Sequence, residues 1–391
     1  MHLTWAVIDL KALAHNYTQL VKLAGQNMTA SATPMIMPVI KADAYGHGVL
    51  DVAKTLNSQC SFFGVSNVDE GIMLRRNGFK QKILLFESTL PSDAQEIVAH
   101  ELTPTVCTKD FAAALNKEAL ARGKKISIHI KVDTGMGRLG IDETDVIAFV
   151  EHLKKSCMGI HLEGIYTHFP LADSDKEFTF AQMRRFRDVV YALENRFLTF
   201  EYVHAGNSMG LGEYRSELFN CARPGIMLYG LYPSDDIKSK VHLKPVMSVK
   251  TKIIFVKSLK KGQGISYGHT FKAKEDMTIA VLPIGYSNGY LRALSNKAFV
   301  LVGGVRCPVI GRVTMDQVMV DVTPVGLSGR LPAVADEVVL LGSQKDENIS
   351  ADDVAGWAGT ISYEILCSLG SRLPHKVLPA PVYADFSSKM G

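Results

Sequence analysis

The feature that most constrains this chain is a repeated alternation of short apolar runs with longer stretches of helical periodicity. Eight apolar runs of strand length lie between residues 35 and 226, with a helical pattern in most of the intervals. Such alternation predicts parallel strands joined by right-handed helical crossovers. Eight such units can close into a (β/α)8 barrel of the TIM type, which usually takes roughly 250 residues. The first predicted strand ends at Lys41, and the others comprise residues 62–65, 83–86, 104–106, 126–132, 162–167, 202–205 and 221–226.

An open, doubly wound parallel sheet would show the same alternation, so the alternation leaves both architectures open. No G-x-G-x-x-G sequence follows an early strand, which argues against a dinucleotide-binding form of the open sheet. From about Pro245 the pattern changes to short β-rich runs separated by Gly, Pro, Asn and Asp. The sequence therefore predicts an α/β chain with two domains, a barrel at residues 1–244 and a mainly-β domain at residues 245–391.

Composition limits the partners of the chain. Of the 391 residues, 47% are hydrophobic and 21% are charged, and the formal net charge is +4. These values are ordinary for a globular protein. The basic clusters are short and lack interleaved aromatic residues, so we expect no nucleic-acid partner. The longest uncharged stretch, residues 23–40, is broken by polar residues and two prolines, so we expect no membrane span.

The cysteines and the first residues indicate a reducing compartment. The six cysteines are widely spaced and form no C-x-x-C pair, which is typical of free thiols, and we assign no metal site. The N-terminus lacks the basic region of a signal peptide. We therefore expect a cytoplasmic protein.

Side chains capable of chemistry follow the predicted strands at their carboxyl ends, where the active sites of barrels lie. Lys41 ends the first run, and apolar surroundings would favour its neutral form, which is a nucleophile or a base. A lysine that simply extends to solvent is the alternative. Several such side chains follow different predicted strands, and their joint placement, rather than any one residue, favours a functional site at the carboxyl ends of the strands. The candidates that lie in or directly after later runs are Lys131, Asp133, His168, Asn207, Ser208 and Arg223.

Two glycine-rich turns at these strand ends suit a phosphate group. Ser208 begins one of them, and Gly225 and Ile226 lie on the other. Hydroxyl groups and backbone N–H groups are the donors that proteins commonly use for phosphate. Ordinary N-cap and turn roles are the alternative for the same residues.

The stretch from Lys41 to Gly48 reads Lys-Ala-Asp-Ala-Tyr-Gly-His-Gly, and all eight residues match the cofactor-lysine signature of the alanine racemases. The chain resembles this family from about residue 6 to about residue 374. The resemblance implies a barrel followed by a β domain, in agreement with the alternation. It further implies a pyridoxal 5'-phosphate-dependent isomerase that interconverts L-alanine and D-alanine and supplies D-alanine for peptidoglycan precursors.

The resemblance also implies which residues carry the reaction. Lys41 holds the cofactor and is the base on one face of the substrate. Tyr267 is the base on the other face, and it enters from the second subunit of a homodimer with shared active sites. Arg223 faces the pyridine nitrogen of the cofactor, and His168 orients Arg223.

Further matching residues surround the cofactor and the substrate in the family. Those assigned to the cofactor phosphate or lying beside it are Tyr45, Asn207, Ser208, Gly225, Ile226 and Tyr363. Arg138 orients the phenolic oxygen of the cofactor and the substrate carboxylate, which the Met315 amide also binds. Tyr286 matches the pocket-wall tyrosine, and Lys131 matches a position that is often carbamylated.

Arg223 and Tyr267 separate the competing reaction classes. A permanently charged arginine leaves a facing pyridine nitrogen largely unprotonated and weakens the ring as an electron sink, which suits prompt reprotonation. Barrel-fold decarboxylases with the same cofactor pair that nitrogen with a glutamate and usually use a cysteine from the partner chain, so both residues argue against them. A non-enzymatic cofactor-binding protein built from one barrel would lack residues 245–391.

The sequence departs from the family's pattern in two places near the expected pocket. Bulky or rigid residues, Phe169, Pro170 and Leu171, stand where the family often has small ones, and Met209 and Gly210 replace alanines. These departures leave the pocket width open. Packing alone rejects an added hydroxyl poorly, so a serine or broader-specificity racemase of the same family is the alternative function.

Overall fold

The chain divides into two units that each draw on more than one stretch of sequence. A computed structural model describes residues 2–26, 33–327, 329 and 331–379. The barrel unit comprises residues 13–42 and 52–244, and the β unit comprises residues 1–12, 43–51 and 245–391. The β unit therefore includes two stretches that the sequence boundary at residue 244 assigned to the barrel.

The barrel unit is a closed ring of parallel strands. A continuous ladder of backbone pairs joins the strands from Phe62–Val65 to Tyr202–His204. The ring closes through short segments, because Met35–Ile36 pairs with Cys221–Ala222 and Val39 bridges to Gly64. Backbone hydrogen bonds from Asn220 to Val203 and from Arg223 to Gly206 join the last two segments. This arrangement confirms the predicted (β/α)8 architecture. The barrel strands are Met35–Ile36, Phe62–Val65, Lys82–Leu85, Thr103–Val106, Ile126–Asp133, Ile160–Tyr166, Tyr202–His204 and Cys221–Ala222, with the short strand Ile141–Asp142 beside Ile126–Asp133.

Helices fill the intervals between these strands and bury one apolar face each. In Lys109–Ala121 the buried residues Phe111, Leu115 and Ala119 recur at helical spacing, and Thr108 caps the first turn by accepting from the Phe111 N–H. The strict strand–helix order of the sequence is therefore kept in the fold. The helices up to residue 238 include Leu10–Gly25, Lys41–Gly46, Val49–Leu56, Val68–Arg76, Ala94–Ala99, Lys109–Ala121, Val146–Ser156, Lys176–Glu194, Ser208–Glu213 and Asp235–Lys238.

A ten-stranded sheet forms most of the β unit. Its strand Trp5–Asp9 pairs antiparallel with Met247–Lys252 and parallel with His375–Leu378. Thr4 supports this pairing by hydrogen bonds to Thr251 and to the Pro283 carbonyl. Pairing with the C-terminal strands is thus the reason that residues 1–12 belong to the β unit. Apolar alternation shows that a segment is a strand, but it does not show which strands are its partners.

The remaining elements of the β unit are short. Among the described residues, no helix of the chain is long and apolar enough to cross a bilayer. The other strands of the β unit are Phe255–Leu259, Gly264–Ile265, Phe271–Lys272, Met277–Leu282, Phe299–Val302, Val305–Ile310, Val318–Asp321, Glu337–Gln344 and Glu347–Ile349, and its α-helices are Thr323–Leu327, Ala351–Ala358 and Ser362–Gly370.

Candidate active site

Lys41 opens one turn of left-handed helix. Four residues with side chains follow it, Ala42, Asp43, Ala44 and Tyr45, and their φ angles lie between +51° and +55°. This geometry corrects the prediction of a strand that continues to Lys41, because Lys41–Gly46 is helical. Left-handed backbone costs L-residues roughly 1–2 kcal/mol each, so the surrounding structure must stabilise the turn.

In the barrel unit, the carboxylate of Glu70 holds the backbone beside Lys41. One oxygen of Glu70 accepts from the Ala42 N–H and the other from the Ser66 N–H, both at 2.6 Å. Ser66 follows the neighbouring barrel strand Phe62–Val65. A single side chain therefore fixes the chain just after Lys41 to the carboxyl end of the next strand.

In the β unit, the later part of the turn is held by buried groups. The Nδ1–H of His47 donates to the carbonyl oxygens of Ala44 and Tyr45 at 2.9 and 3.0 Å. Burial lowers the pKa of His47 to about 4, against the opposing effect of these hydrogen bonds, so the ring is neutral near pH 7. Gly46 has φ +76°, and its carbonyl oxygen lies so close to Gly370 that a Cβ there would be 2.0 Å away.

Arg223 is buried inside the barrel and bonded to uncharged acceptors. Its guanidinium donates to the carbonyl oxygens of Thr167 and Ala205 at 2.8 and 3.0 Å and to Nδ1 of His204 at 2.5 Å. A further nitrogen, Nδ1 of His168, lies 3.5 Å away. No carboxylate within the described residues forms an ion pair with Arg223. The predicted neighbours Arg223 and His168 are therefore together, and His204 is the nearer histidine.

Cations surround His168 and Lys131. Burial, followed by the charge of Arg223 and of other nearby cations, lowers the pKa of His168 to about 3. Burial and the charges of Arg138 and Arg223 likewise lower the pKa of Lys131 to about 8. The Tyr166 ring lies near two of these cations, with the Lys131 Nζ 5.7 Å and the Arg223 Cζ 5.0 Å from its centroid. Both titratable groups are thus shifted towards their neutral forms.

The loop that carries Arg138 is shaped by Asp133. One oxygen of Asp133 accepts from the Gly135 and Met136 N–H groups at 2.9 and 2.8 Å. Arg138 itself is exposed and forms no hydrogen bond or ion pair within the described part of the chain. Its guanidinium is therefore available to an anionic ligand.

Ser208 joins the two glycine-rich turns of the barrel unit. Its buried oxygen accepts from the Gly225 and Met227 N–H groups at 3.0 and 3.4 Å, and within the described residues no acceptor takes its hydroxyl hydrogen. Asn207 caps the helix Ser208–Glu213 by accepting from the Gly210 N–H, and it donates to the Phe169 carbonyl. Phe169 and Met209, two of the bulky departures from the family's pattern, are 2% and 3% exposed and pack in the core.

The remaining predicted residues lie in the β unit. Tyr267 is 73% exposed and borders an open groove of about 420 Å³. Tyr286 and Met315 lie on neighbouring turns, since the Tyr286 N–H donates to the Thr314 carbonyl and the Ser287 N–H to the Met315 carbonyl. A second pair is formed by Tyr45 and Tyr363, whose ring centroids are 6.1 Å apart.

Several residues in these networks were not identified from the sequence. Glu70 and His204 are two of them, and His129 and Glu163 are two more, since His129 contacts both His204 at 2.8 Å and Glu163 at 3.3 Å. A sequence signal existed for three of them, because His129, Glu163 and His204 are polar residues inside runs predicted as buried strands. A polar group in such a place is seldom left without a partner. All six cysteines are free thiols, and no cluster of His, Cys, Asp and Glu in the described residues could hold a metal ion.

The closed barrel, with a lysine on a constrained turn and a buried arginine at strand ends, defines a barrel-fold enzyme whose reactive groups come from the loops after its strands. Comparison with known proteins narrows this class. Residues 8–233 match the family description "Alanine racemase, N-terminal domain", and residues 246–377 match "Alanine racemase, C-terminal domain". The chain belongs to the alanine racemase family.

Individual relatives cover nearly the whole chain. The alanine racemase of Halothermothrix orenii is 41% identical over 377 residues, which is 95% of this chain and 96% of the relative. Among solved structures, the alanine racemase of Clostridium difficile 630 superposes with a TM-score of 0.88 at 34% identity, covering 97% of this chain and 96% of that one. The alanine racemase of Bacillus anthracis with bound L-Ala-P gives 0.86 at 32% identity, with coverages of 97% and 96%.

Proposed function

We propose that this chain interconverts L-alanine and D-alanine with pyridoxal 5'-phosphate as cofactor, and that the D-alanine supplies peptidoglycan precursors. The observation that carries this proposal is Lys41 on its left-handed turn at the carboxyl end of the first barrel strand segment. The identity of 41% with an alanine racemase over 95% of the chain supports it. Serine remains the alternative substrate, because packing alone discriminates poorly against an added hydroxyl.

The residues of the barrel unit fit this cofactor. A phosphate needs hydrogen-bond donors, and the Ser208 hydroxyl group lies beside the turn that carries the Gly225 and Ile226 backbone. A pyridine nitrogen that accepts a hydrogen bond needs a donor, and Arg223 is a buried group with donors only. When bound, the cofactor withdraws electrons from the substrate Cα and so acidifies its C–H bond.

The protein's own groups then move the proton. We propose that Lys41 Nζ takes or returns the proton at Cα on one face and that the Tyr267 oxygen does so on the other. We propose a homodimer in which Tyr267 serves the site of the other subunit, which is compatible with its 73% exposure. Because Arg223 cannot give up its proton, it leaves the pyridine nitrogen unprotonated, which favours prompt return of the Cα proton.

The other family roles are proposed for the matching residues. Arg138 would bind the substrate carboxylate and the phenolic oxygen of the cofactor, and its exposed guanidinium suits an anion. The Met315 amide would bind the same carboxylate, and Tyr286 would form the pocket wall. The phosphate would be held by Tyr45, Asn207, Ser208, Gly225, Ile226 and Tyr363, with His168 beside Arg223 and Lys131 as a carbamate. A cytoplasmic location is part of the same proposal.

The test compares visible absorbance and alanine racemisation of the wild type with those of Lys41→Ala and Tyr267→Phe. We expect the lysine variant to lose the absorbance of lysine-linked cofactor, and the tyrosine variant to keep it while losing most turnover. Lys54→Ala and Tyr191→Phe are matched controls, since both residues are exposed on barrel helices. A colourless wild type, or one that releases carbon dioxide without forming D-alanine, would overturn the proposal.

A further inference from the structure

A chain of hydrogen bonds crosses the barrel interior and ends at Arg223. Lys82, the first residue of its strand, contacts Glu163 Oε1 at 2.8 Å, and Glu163 Oε2 contacts His129 Nε2 at 3.3 Å. Nδ1 of His129 lies 2.8 Å from Nε2 of His204, whose Nδ1 accepts from Arg223. Three members, Glu163, His129 and His204, are at most 3% exposed. None of these three takes part in the proposed proton transfer.

A bulge directs Glu163 into this chain. Ile128 pairs with Leu162 but His129 pairs with Gly164, so Glu163 is an extra residue in its strand. Bulges are a recurrent means of redirecting one side chain. Gly164 makes room for the His129 ring, because a Cβ at residue 164 would lie 2.5 Å from the ring. The local backbone therefore favours contact between the Glu163 carboxylate and His129.

The partners fix where each proton lies. Burial alone would raise the pKa of Glu163, but the hydrogen bonds from His129 and Lys82 outweigh it and lower the pKa to about 2. The ionised carboxylate only accepts, so His129 carries its proton on Nε2. Burial lowers the pKa of both histidines, so neutral His129 accepts at Nδ1 from the Nε2–H of His204. The remaining lone pair, on Nδ1 of His204, faces Arg223.

We propose that Glu163 is a positioning residue for the racemisation, because its carboxylate holds His129 and His204 in the tautomers that let His204 accept from Arg223. This inference rests on the proposed function, in which the Arg223 guanidinium faces the cofactor. The Arg223 guanidinium has no ion-pair partner of its own within the described residues. The hydrogen bonds through His204 and His129 connect it to the Glu163 carboxylate, which is an anion. Glu163 acts through two rings and touches neither substrate nor cofactor.

We predict that the substitution Glu163→Gln reverses the tautomers of both histidines and lowers kcat. Lys82 only donates, so the amide oxygen of the new side chain faces Lys82 and its NH₂ group faces His129. Both histidines then switch to the opposite tautomer, and the Nδ1–H of His204 faces the N–H of Arg223. We expect kcat to fall about tenfold with little change in KM, since alanine does not contact Glu163.

Two further variants separate this effect from loss of a buried charge. Glu201→Gln removes the other carboxylate near Lys82, at 3.3 Å, without touching the histidines, and we expect wild-type tautomers and kcat. Adding Lys82→Met to Glu163→Gln frees the amide to turn its oxygen towards His129, so we expect the tautomers and most of kcat to return. A role limited to stability does not predict that rescue.

The readout is ¹⁵N–¹H NMR of histidine-labelled purified protein, which distinguishes the two tautomers, together with kcat and KM. Wild-type His129 or His204 protonated on Nδ1, or Glu163→Gln with unchanged tautomers and kcat, would overturn the inference. If Glu163→Gln does not fold, the inference is tested by the tautomers of the wild type and by the tautomers and kcat of the double variant Lys82→Met with Glu163→Gln. A wild type that shows these tautomers but does not racemise alanine contradicts the proposed function instead.

Discussion

At the scale of single residues, the candidate site concentrates cations around groups whose pKa values are lowered. Lys131 lies in the barrel interior at 3% exposure, and burial together with the charges of Arg138 and Arg223 lowers its pKa to about 8. A neutral amine reacts with carbon dioxide to form a carbamate, whereas an ammonium group does not. Conversion to a carbamate replaces a cation by an anion beside two arginines, which removes like-charge repulsion.

We therefore predict that Lys131 is carbamylated to a degree that rises with pH through about 8 and with bicarbonate. Native mass spectrometry should find one added carbon dioxide, absent from Lys131→Ala and retained in Lys125→Ala, whose lysine is exposed. The carbamylated protein should also bind alanine more tightly, because Arg138 is then better oriented. An unmodified mass at pH 8.5 in bicarbonate would refute the prediction.

The position of a single residue follows from the sequence where a contiguous motif contains it, and the role of Lys41 stays a prediction. Lys41 was identified from eight matching residues, and the structure places it at the carboxyl end of the first barrel strand segment. Glu163 was not identified, because its contact with His129 depends on a one-residue shift of register at a bulge. A sequence pattern of period two contains no information about such a shift.

At the scale of elements, the left-handed turn after Lys41 is a feature that the sequence pattern did not predict. The apolar run from Met35 to Ile40 predicted a strand through Lys41, but paired strand covers only Met35–Ile36 and a bridge at Val39. Alanine, aspartate and tyrosine in left-handed backbone have no local signature, because their intrinsic preference is for other regions. The helices, by contrast, lie in the intervals where the sequence shows a helical pattern, since amphipathic periodicity and caps are local signals.

The contact between Gly46 and Gly370 yields a prediction for the helix Ser362–Gly370. We expect Gly370→Ala to destabilise the protein by about 1–3 kcal/mol or more, because the added Cβ would meet the Gly46 carbonyl oxygen. The matched control is Gly356→Ala in the helix Ala351–Ala358, where a Cβ meets nothing within 4 Å. Higher helix propensity should stabilise that variant by up to about 1 kcal/mol.

Urea unfolding of both variants measures the difference in free energy. Gly370→Ala should also weaken cofactor binding, because displacement of Gly46 moves the turn that carries Tyr45. Equal stability of the two alanine variants would show that the turn and the helix can separate without cost.

At the scale of the whole molecule, buried neutral histidines couple stability to pH. The pKa of His47 is lowered to about 4 and that of His168 to about 3, and burial lowers those of His129 and His204 as well. A histidine with a lowered pKa in the folded state takes up its proton more readily when unfolded, so stability falls with pH below about 6.5. Glu163 acts in the same direction, since its lowered pKa gives stability that is lost as pH falls from about 4.5 through about 2.

We predict that the free energy of unfolding falls steeply between pH 6.5 and pH 4, by about 2 kcal/mol each for His47 and His168 between pH 7 and pH 5. His47→Asn should reduce this slope by the contribution of one proton, whereas His161→Asn, at an exposed position, should leave it unchanged. Chemical unfolding at a series of pH values measures the slope. A flat profile down to pH 4 would mean that these rings are protonated in the folded state.

At the same scale, we predict that the two bases of one active site come from different chains of a homodimer. Lys41 belongs to the barrel unit and Tyr267 to the β unit, and Tyr267 is 73% exposed in the single chain. If Tyr267 serves the other subunit, Lys41→Ala and Tyr267→Phe are inactive for different reasons and complement each other. Each hybrid dimer then contains one site with both bases intact, so mixing and exchange of subunits should restore about a quarter of the wild-type rate.

The control for this experiment mixes each inactive variant with itself under the same exchange conditions, which should restore nothing. A double variant, Lys41→Ala with Tyr267→Phe, mixed with wild type gives a second check, because every hybrid dimer then pairs each intact base with a substituted one. Hybrids of this kind should have no active site, so the rate should fall below that of the wild-type chains added. Bases contributed by a single chain would reverse both results, with no recovery in the first mixture and no loss in the second.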